Sequence, residues 1–300
     1  MEKYDIHGLV RVNTNVDFLP DHFITTKRSK PDLEIRKVSN SEPDMISNAI
    51  KRYKRFPLEL TGNNNSVNMK YCPTLRLLSV YLSDLDRMTR FHYSESAVFS
   101  PFHNMIFPSW PSLVNLKRFL LQIKFLQKGT AMIHSATLSK DGRGIILPSW
   151  PNTGKSHTSK VMMQEDYMVY GDELTLLRQD RRMYSLFPTF NGKVKLDFNV
   201  GRPVPKLEKI IILKKGRMKI ETLNKSDMID SIIASTQYEF QNSVTRDFFL
   251  FYCFSCHFKP DFIETTTRKI LSKTLKKVDC YVAHGNRSTF PAGVRKIMRD

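Results

Sequence analysis

The chain has 300 residues, 41% hydrophobic and 25% charged, enough apolar content to bury a sizeable core as one large or two small domains. Its formal net charge of +18 is uneven, with +3 on residues 1–100, +6 on 101–200 and +9 on 201–300, which points to an anionic partner. The start, Met-Glu-Lys-Tyr-Asp-Ile-His, lacks a signal peptide's apolar core, the 11-residue apolar run Phe248–Phe258 is too short to span a bilayer, and four cysteines suggest no disulfide framework; a reducing cytoplasm is the expected location.

In chain order, Tyr4–Val12 reads as a strand and Pro31–Ile35 as a short extended segment. Residues 61–66 form a polar loop before an apolar stretch from Leu75 to Leu85, so residues 1–100 are expected to make a small N-terminal α/β lobe. Three prolines and Trp110 within 101–111 punctuate the passage to a core over 101–223. Leu113, Leu116, Leu120 and Ile123 recur at helical spacing, which predicts a packing helix over 112–127.

Ala131–Leu138 alternates and meets Asp141-Gly142, a pair that suits a two-residue type I′ hairpin turn. With that turn Lys140 faces Arg143 and, further down the ladder, His134 faces Ser149. A slip of one residue would turn His134 to the other side of the sheet. Gly144–Pro148 reads as a buried strand, a helix runs to about Gln164, and Tyr167–Tyr170 reads as a second buried strand entering Gly171-Asp172-Glu173. Tyr184–Phe198 reads as a hairpin around Asn191-Gly192, and Lys209–Leu213 as another buried strand. The last region, 224–300, is basic and mainly helical: Asn224 with Asp227 starts one helix, and 245–258 and 261–276 form two more, the latter capped by Asp261. Cys253-x-x-Cys256 falls in an apolar run without the second Cys pair of a zinc ribbon, so it reads as packing.

Chemistry concentrates where the 144–148 strand ends. Residues 149–156 read Ser-Trp-Pro-Asn-Thr-Gly-Lys-Ser, the layout of a phosphate-binding P-loop. Backbone N–H groups of such a loop cradle phosphates, and the following helix adds its positive N-terminal end. The candidate nucleotide-binding residues are Ser149, Trp150, Pro151, Asn152, Thr153, Gly154, Lys155, Ser156 and His157, with Ser149 standing where the consensus has its first glycine. Lys155 is placed to reach the β/γ-phosphates and Ser156 to hold Mg²⁺. The Asp172-Glu173 pair follows the next strand like Walker-B acids, and ligands of open α/β sheets collect at such carboxyl ends. The hairpin register brings His134 to the mouth of the loop. His134, Lys155, Asp172 and Glu173 are therefore the candidate catalytic residues, and Ser156 and Asp172 the candidate metal ligands.

Ile133-His134-Ser135-Ala136, the segment Ile146 to Ser156 and Tyr170-Gly171-Asp172-Glu173 together resemble the HPr kinase/phosphorylase group, P-loop kinases of the phosphoenolpyruvate-carboxykinase-like fold. The resemblance covers about residues 115–215. It implies an α/β kinase core with a mixed sheet, flanked by the N-terminal lobe and C-terminal helices. It further implies ATP as phosphoryl donor, Mg²⁺ as cofactor, and a hydroxyl acceptor, with a serine of a peptide or protein as in related peptide-modifying kinases. By position, Glu173 stands where the family has its proton acceptor, normally an Asp, and His134 would line the acceptor side of the γ-phosphate. Phosphorylase activity does not carry over, because no match to the family's downstream acceptor-binding loop is present.

The expected activity is Mg²⁺-dependent transfer of a γ-phosphoryl group to a hydroxyl, with the choice between ATP and GTP open. A small-molecule or RNA hydroxyl remains an alternative acceptor, and a nucleotide-binding switch or an RNA-binding module with a degenerate P-loop the alternative classes. Basic clusters at Lys206/Lys209, Lys214-Lys215-x-Arg217-x-Lys219 and Lys273/Lys276/Lys277 are expected to face an acidic protein, peptide or RNA.

Overall fold

A computed structural model describes residues 1–17, 19–27, 29–37, 58–63, 66–71, 78–83, 89–95, 113–186, 189–190, 194–195, 205–240 and 261–299. The chain is α/β, with mixed sheets and, among the described residues, five α-helices. It divides into two compact units, residues 1–124 with 242–260, and 125–241 with 261–300. None of the described helices is long and apolar enough to cross a membrane. The expected helix over 245–258, the proline-rich 101–111 segment, and Cys253 and Cys256 lie outside the described residues.

The first unit is built on a seven-stranded sheet. Its opening segment is a hairpin, not the single strand expected over 4–12. β1 (Glu2–Ile6) pairs antiparallel with β2 (Val10–Thr14). The turn between them uses His7 and Gly8, both at positive φ, and the Gly8 N–H donates to Asp5 Oδ1 at 2.8 Å. β3 (Leu33–Lys37) joins β2 in parallel, while β4 (Leu58–Asn63), β5 (Ser66–Tyr71), β6 (Leu78–Ser83) and β7 (Thr89–Glu95) form an antiparallel meander whose last strand lies parallel to β3. The expected 61–66 loop is mostly strand, because β4 and β5 run up to Asn63 and from Ser66. Tyr4, Ile6, Val10, Val12, Leu33 and Ile35 are fully buried and alternate along their strands, as a half-buried sheet requires. Helix α1 (Leu113–Gln127) carries the chain out of this unit.

The second unit is an eight-stranded sheet with helices on both faces. β8 (Thr130–Lys140) and β9 (Arg143–Pro148) form the expected hairpin, with Asp141 at φ +51° and Gly142 at φ +76°, the two positive values a type I′ turn needs. Their ladder runs from Lys140↔Arg143 to Ser135↔Pro148, the anticipated register. There follow α2 (Lys155–Met163), β10 (Met168–Gly171), β11 (Leu174–Arg178), β12 (Met183–Ser185), and a small separate hairpin of β13 (Thr189–Phe190) with β14 (Val194–Lys195). The expected 184–198 hairpin is thus shorter, since Met183–Ser185 pairs with β11 instead. The chain continues through β15 (Lys206–Lys215), β16 (Lys219–Thr222), α3 (Lys225–Phe240), α4 (Phe262–Thr274), β17 (Asp279–Gly285) and α5 (Phe290–Arg299). The sheet order is β12-β11-β8-β9-β15-β17-β16, with β10 also on β8; β9, β15 and β17 are mutually parallel. Among its described residues the 224–300 region holds the helices α3, α4 and α5 and, between the last two, the strand β17, while β15, like the strand expected over 209–213, and β16 belong to the preceding region.

Side-chain alternation splits the core in two. Ala131, Ile133, Ile146, Leu207 and Ile210 pack with α3 and α4, whereas Ala136, Leu138, Ile145, Leu147, Ile211 and Leu213 pack with Met162 of α2 and with Phe290, Val294 and Ile297 of α5. Each such buried aliphatic side chain contributes about 1.5–3 kcal/mol relative to exposure. A bulge between Leu207 and Lys209 lets β15 serve both faces. It also aims Lys209 inward: its Nζ donates to the Ile297 carbonyl in the last turn of α5 at 2.6 Å, which satisfies one helix-end acceptor. Lys209 is buried, so it leaves the expected surface cluster. Asn224 caps α3 as expected, accepting from the Asp227 N–H at 2.9 Å. Asp261 precedes α4, but its carboxylate takes the Thr265 hydroxyl at 3.0 Å rather than a backbone N–H.

Candidate active site

The strand directions gather several chain segments beside β8. β9 and β10 both run antiparallel to β8 and flank it, so the 149–154 loop leaves on one side of β8 and Asp172-Glu173 lies on the other. The last pairs fix the level: Pro148 faces Ser135, and Gly171 faces Thr137. With strands about 4.8 Å apart, the two exits stand roughly 10 Å apart across β8. The β9–α2–β10 crossover therefore does not join adjacent parallel strands as a simple βαβ unit would; β8 runs between them. Nor does the chain leave the sheet after β10. Asp172 and Glu173 form a bend, and β11 resumes along the same edge of β8 with Leu174 opposite His134. The Glu173 carbonyl accepts from the Ser135 N–H at 3.2 Å, which pins the bend.

His134 lies between these two exits. It shares strand parity with Ala136 and Leu138, hence the face covered by α2, and is 7% exposed. Its backbone N–H donates to Thr236 Oγ1 of α3 at 3.3 Å. Burial, and secondarily the Lys155 charge, pulls its pKa down from 6.5 to about 4, so the imidazole is neutral at neutral pH.

The loop itself is tightly held. Ser149, 1% exposed, accepts the Leu213 N–H of β15 at 2.9 Å through its Oγ. That hydroxyl explains why a serine stands in place of the consensus glycine: β9 has ended at Pro148, and the side chain supplies the acceptor that the ladder no longer does. The Thr153 hydroxyl donates to the Trp150 carbonyl at 2.8 Å. Lys155, 7% exposed, directs Nζ back to the carbonyls of Ser149 at 2.7 Å and Trp150 at 3.2 Å. Asn152 and Gly154 adopt positive φ, +60° and +109°, and a Cβ on Gly154 would stand 3.4 Å from the Phe290 ring. Pro151 occupies the turn, and Trp150 is solvent-exposed.

A cleft of about 350 Å³ opens at the start of α2, lined by Asn152, Gly154, Lys155, Ser156, His157 and Arg287. It contains two cations and the N-terminal end of a helix, and no carboxylate among these lining residues. Such a surface favours anions. Arg287 escaped the sequence reading. It belongs to the 286–289 turn after β17, whose carboxyl end falls on the same rim as that of β9. The only local signal was turn chemistry: Asn286 followed by Thr289, then Pro291 one residue into a helix.

The structure separates the basic clusters. Lys214, Lys215 and Arg217 are exposed at the carboxyl end of β15, with Lys215 paired to Gly285 just before the Arg287 turn. Lys219 pairs with Glu221, which also binds His284 Nε2 at 2.9 Å. Lys206 starts β15, and Lys273, Lys276 and Lys277 precede β17, so these lie toward the opposite end of the strands.

No protein-family model matches the chain, and no curated protein matches it. Geometry and charge are what describe the site. Among the described residues no three His, Cys, Asp or Glu side chains gather as a protein-only metal cage. Mg²⁺ characteristically takes one or two protein oxygens plus phosphates and waters. The Ser156 hydroxyl at the head of α2 and the buried Asp172 carboxylate are oxygen donors of that kind, so their donor chemistry suits this ion.

Proposed function

We propose that the chain is a P-loop phosphotransferase of the HPr kinase-like type, moving the γ-phosphoryl group of a nucleoside triphosphate, ATP by preference, to a hydroxyl. One observation carries this reading: an anion-favouring cleft lined by Lys155 opens on one side of β8, an acidic bend flanks the other, and a neutral His134 lies between. Phosphoryl transfer asks mainly for positioning and electrostatic stabilisation, which such parts supply.

In this reading Lys155 exchanges its loop carbonyls for β- and γ-phosphate oxygens, and the N–H groups at the head of α2 hold the phosphate chain. Bound Mg²⁺, held by Ser156 and Asp172, would neutralise the phosphate charge. Glu173 accepts the proton of the acceptor hydroxyl as its oxygen bonds to the γ-phosphorus and the bond to the β–γ bridging oxygen breaks, releasing the diphosphate. His134, kept neutral by burial, adds no charge to repel Lys155 and lines the acceptor side. The exposed Lys214, Lys215 and Arg217 on the same rim support an acidic acceptor, a serine within an acidic peptide or protein.

The test is ADP formation from MgATP in the presence of acidic serine-containing peptides. Transfer that requires Mg²⁺ and disappears in Asp172→Asn supports the kinase. ATP binding without ADP formation or phosphopeptide favours a nucleotide-binding switch.

A further inference from the structure

We infer that Arg287 is a phosphate-binding residue of the cleft, a second cation that grips the nucleotide's phosphate chain beside Lys155. The inference rests on the nucleotide reading above and names a residue that the P-loop pattern does not contain. Three observations carry it.

The turn holding Arg287 lies directly against the loop. The Arg287 Cα stands 3.9 Å from where a Cβ on Gly154 would be, and the Phe290 ring that follows packs 3.4 Å from the same point. A Cβ at 154 would thus meet this turn in ordinary van der Waals contact, and it is the φ of +109° that favours glycine there. Arg287 and the P-loop both line the cleft although Arg287 follows Gly154 by 133 residues in sequence.

The turn is rigid before any ligand arrives. Asn286 Oδ1 accepts from the N–H groups of Ser288 at 3.0 Å and Thr289 at 3.2 Å, and the Asn286 N–H donates to Thr289 Oγ1 at 2.9 Å. The Phe290 N–H closes the turn on the Asn286 carbonyl at 3.0 Å, starting α5. A backbone fixed in this way adds little ordering cost when the side chain engages a ligand.

The guanidinium itself is uncommitted. Arg143, Arg178, Arg268 and Arg295 in this unit each pair with a carboxylate. Arg287 is exposed and, among the described residues, has no hydrogen-bond or ion-pair partner. Its planar fork suits bidentate contact with phosphate oxygens, and the cleft beside it carries no competing carboxylate.

Calorimetry on the full chain at physiological salt tests this, with MgATP, MgADP and inorganic tripolyphosphate titrated into wild type, Arg287→Ala and Arg287→Lys. Arg287→Ala should weaken all three ligands by roughly tenfold or more, the scale of a charged hydrogen bond, with part recovered in Arg287→Lys. Equal loss for tripolyphosphate and ATP locates the contact on phosphate. Unchanged affinity in Arg287→Ala overturns the inference. So does a loss confined to the nucleotides with tripolyphosphate unaffected, which would put Arg287 on the base or ribose. A wild-type chain that binds none of the three refutes the nucleotide reading itself, and the inference with it.

Discussion

Removing the imidazole at 134 should change how stability depends on acidity. Burial, aided by Lys155, lowers the His134 pKa from 6.5 to about 4. In the unfolded chain the ring protonates below about pH 6.5, while in the folded chain it resists until about pH 4. Between those values the unfolded state binds the extra proton, so stability falls as pH drops through this window and is fully present above it. A shift of this size, at 1.36 kcal/mol per pKa unit, corresponds to about 3 kcal/mol lost by pH 4. Urea unfolding of wild type and His134→Gln at several pH values from 7.5 to 4, without nucleotide or Mg²⁺, isolates the term. The wild type should lose about 3 kcal/mol more than the variant across the window. Parallel pH profiles would mean that His134 is solvated or satisfied in its charged form, and that its burial between the two exits is misread.

Ser149→Ala removes the acceptor for the buried Leu213 N–H and should cost about 1–3 kcal/mol in urea unfolding at pH 7; a neutral result would deny the loop its anchor on β15. Glu173→Gln should bind nucleotide as wild type does yet transfer phosphate roughly 10²-fold more slowly, the usual contribution of a positioned base. Wild-type turnover in that variant would move the role to Asp172. Reversing Lys214, Lys215 and Arg217 to Glu should raise the KM of an acidic acceptor steeply at low salt and leave MgATP affinity nearly unchanged, since exposed charges are screened within about 8–10 Å. A salt-independent KM that survives the reversal would make the patch ordinary solvated surface.

Local chemistry made the centre of the second unit legible. Asp141-Gly142 fixed the β8–β9 register, and through it His134 was brought to the loop mouth, because a two-residue turn leaves no freedom in the pairing. The helix after Lys155 and the Asn224 cap followed from equally local signals. What the chain's periodicity could not convey was strand order. Nothing near residues 168–178 says that β10 and β11 both lie on β8 and turn the acids into a bend rather than a free loop. Arg287 was hidden for the same reason: its meaning depends on β17 lying parallel to β15 and ending at the rim of the 149–154 loop. Lys209 shows the converse error, since a lysine in a basic run reads as surface until a bulge turns it onto the end of α5. Ser149 read as a departure from the phosphate-loop consensus, and its reason appeared only with the Leu213 N–H in place.

The central claim is that the cleft at the head of α2 binds the phosphates of a nucleoside triphosphate through Lys155. Titration calorimetry of MgATP into wild type and Lys155→Ala measures this most directly. The wild type should bind with one-to-one stoichiometry, and the variant, having lost the cation facing the β/γ-phosphates, should bind at least roughly tenfold more weakly. Equal affinity for MgATP in the two proteins would contradict the account.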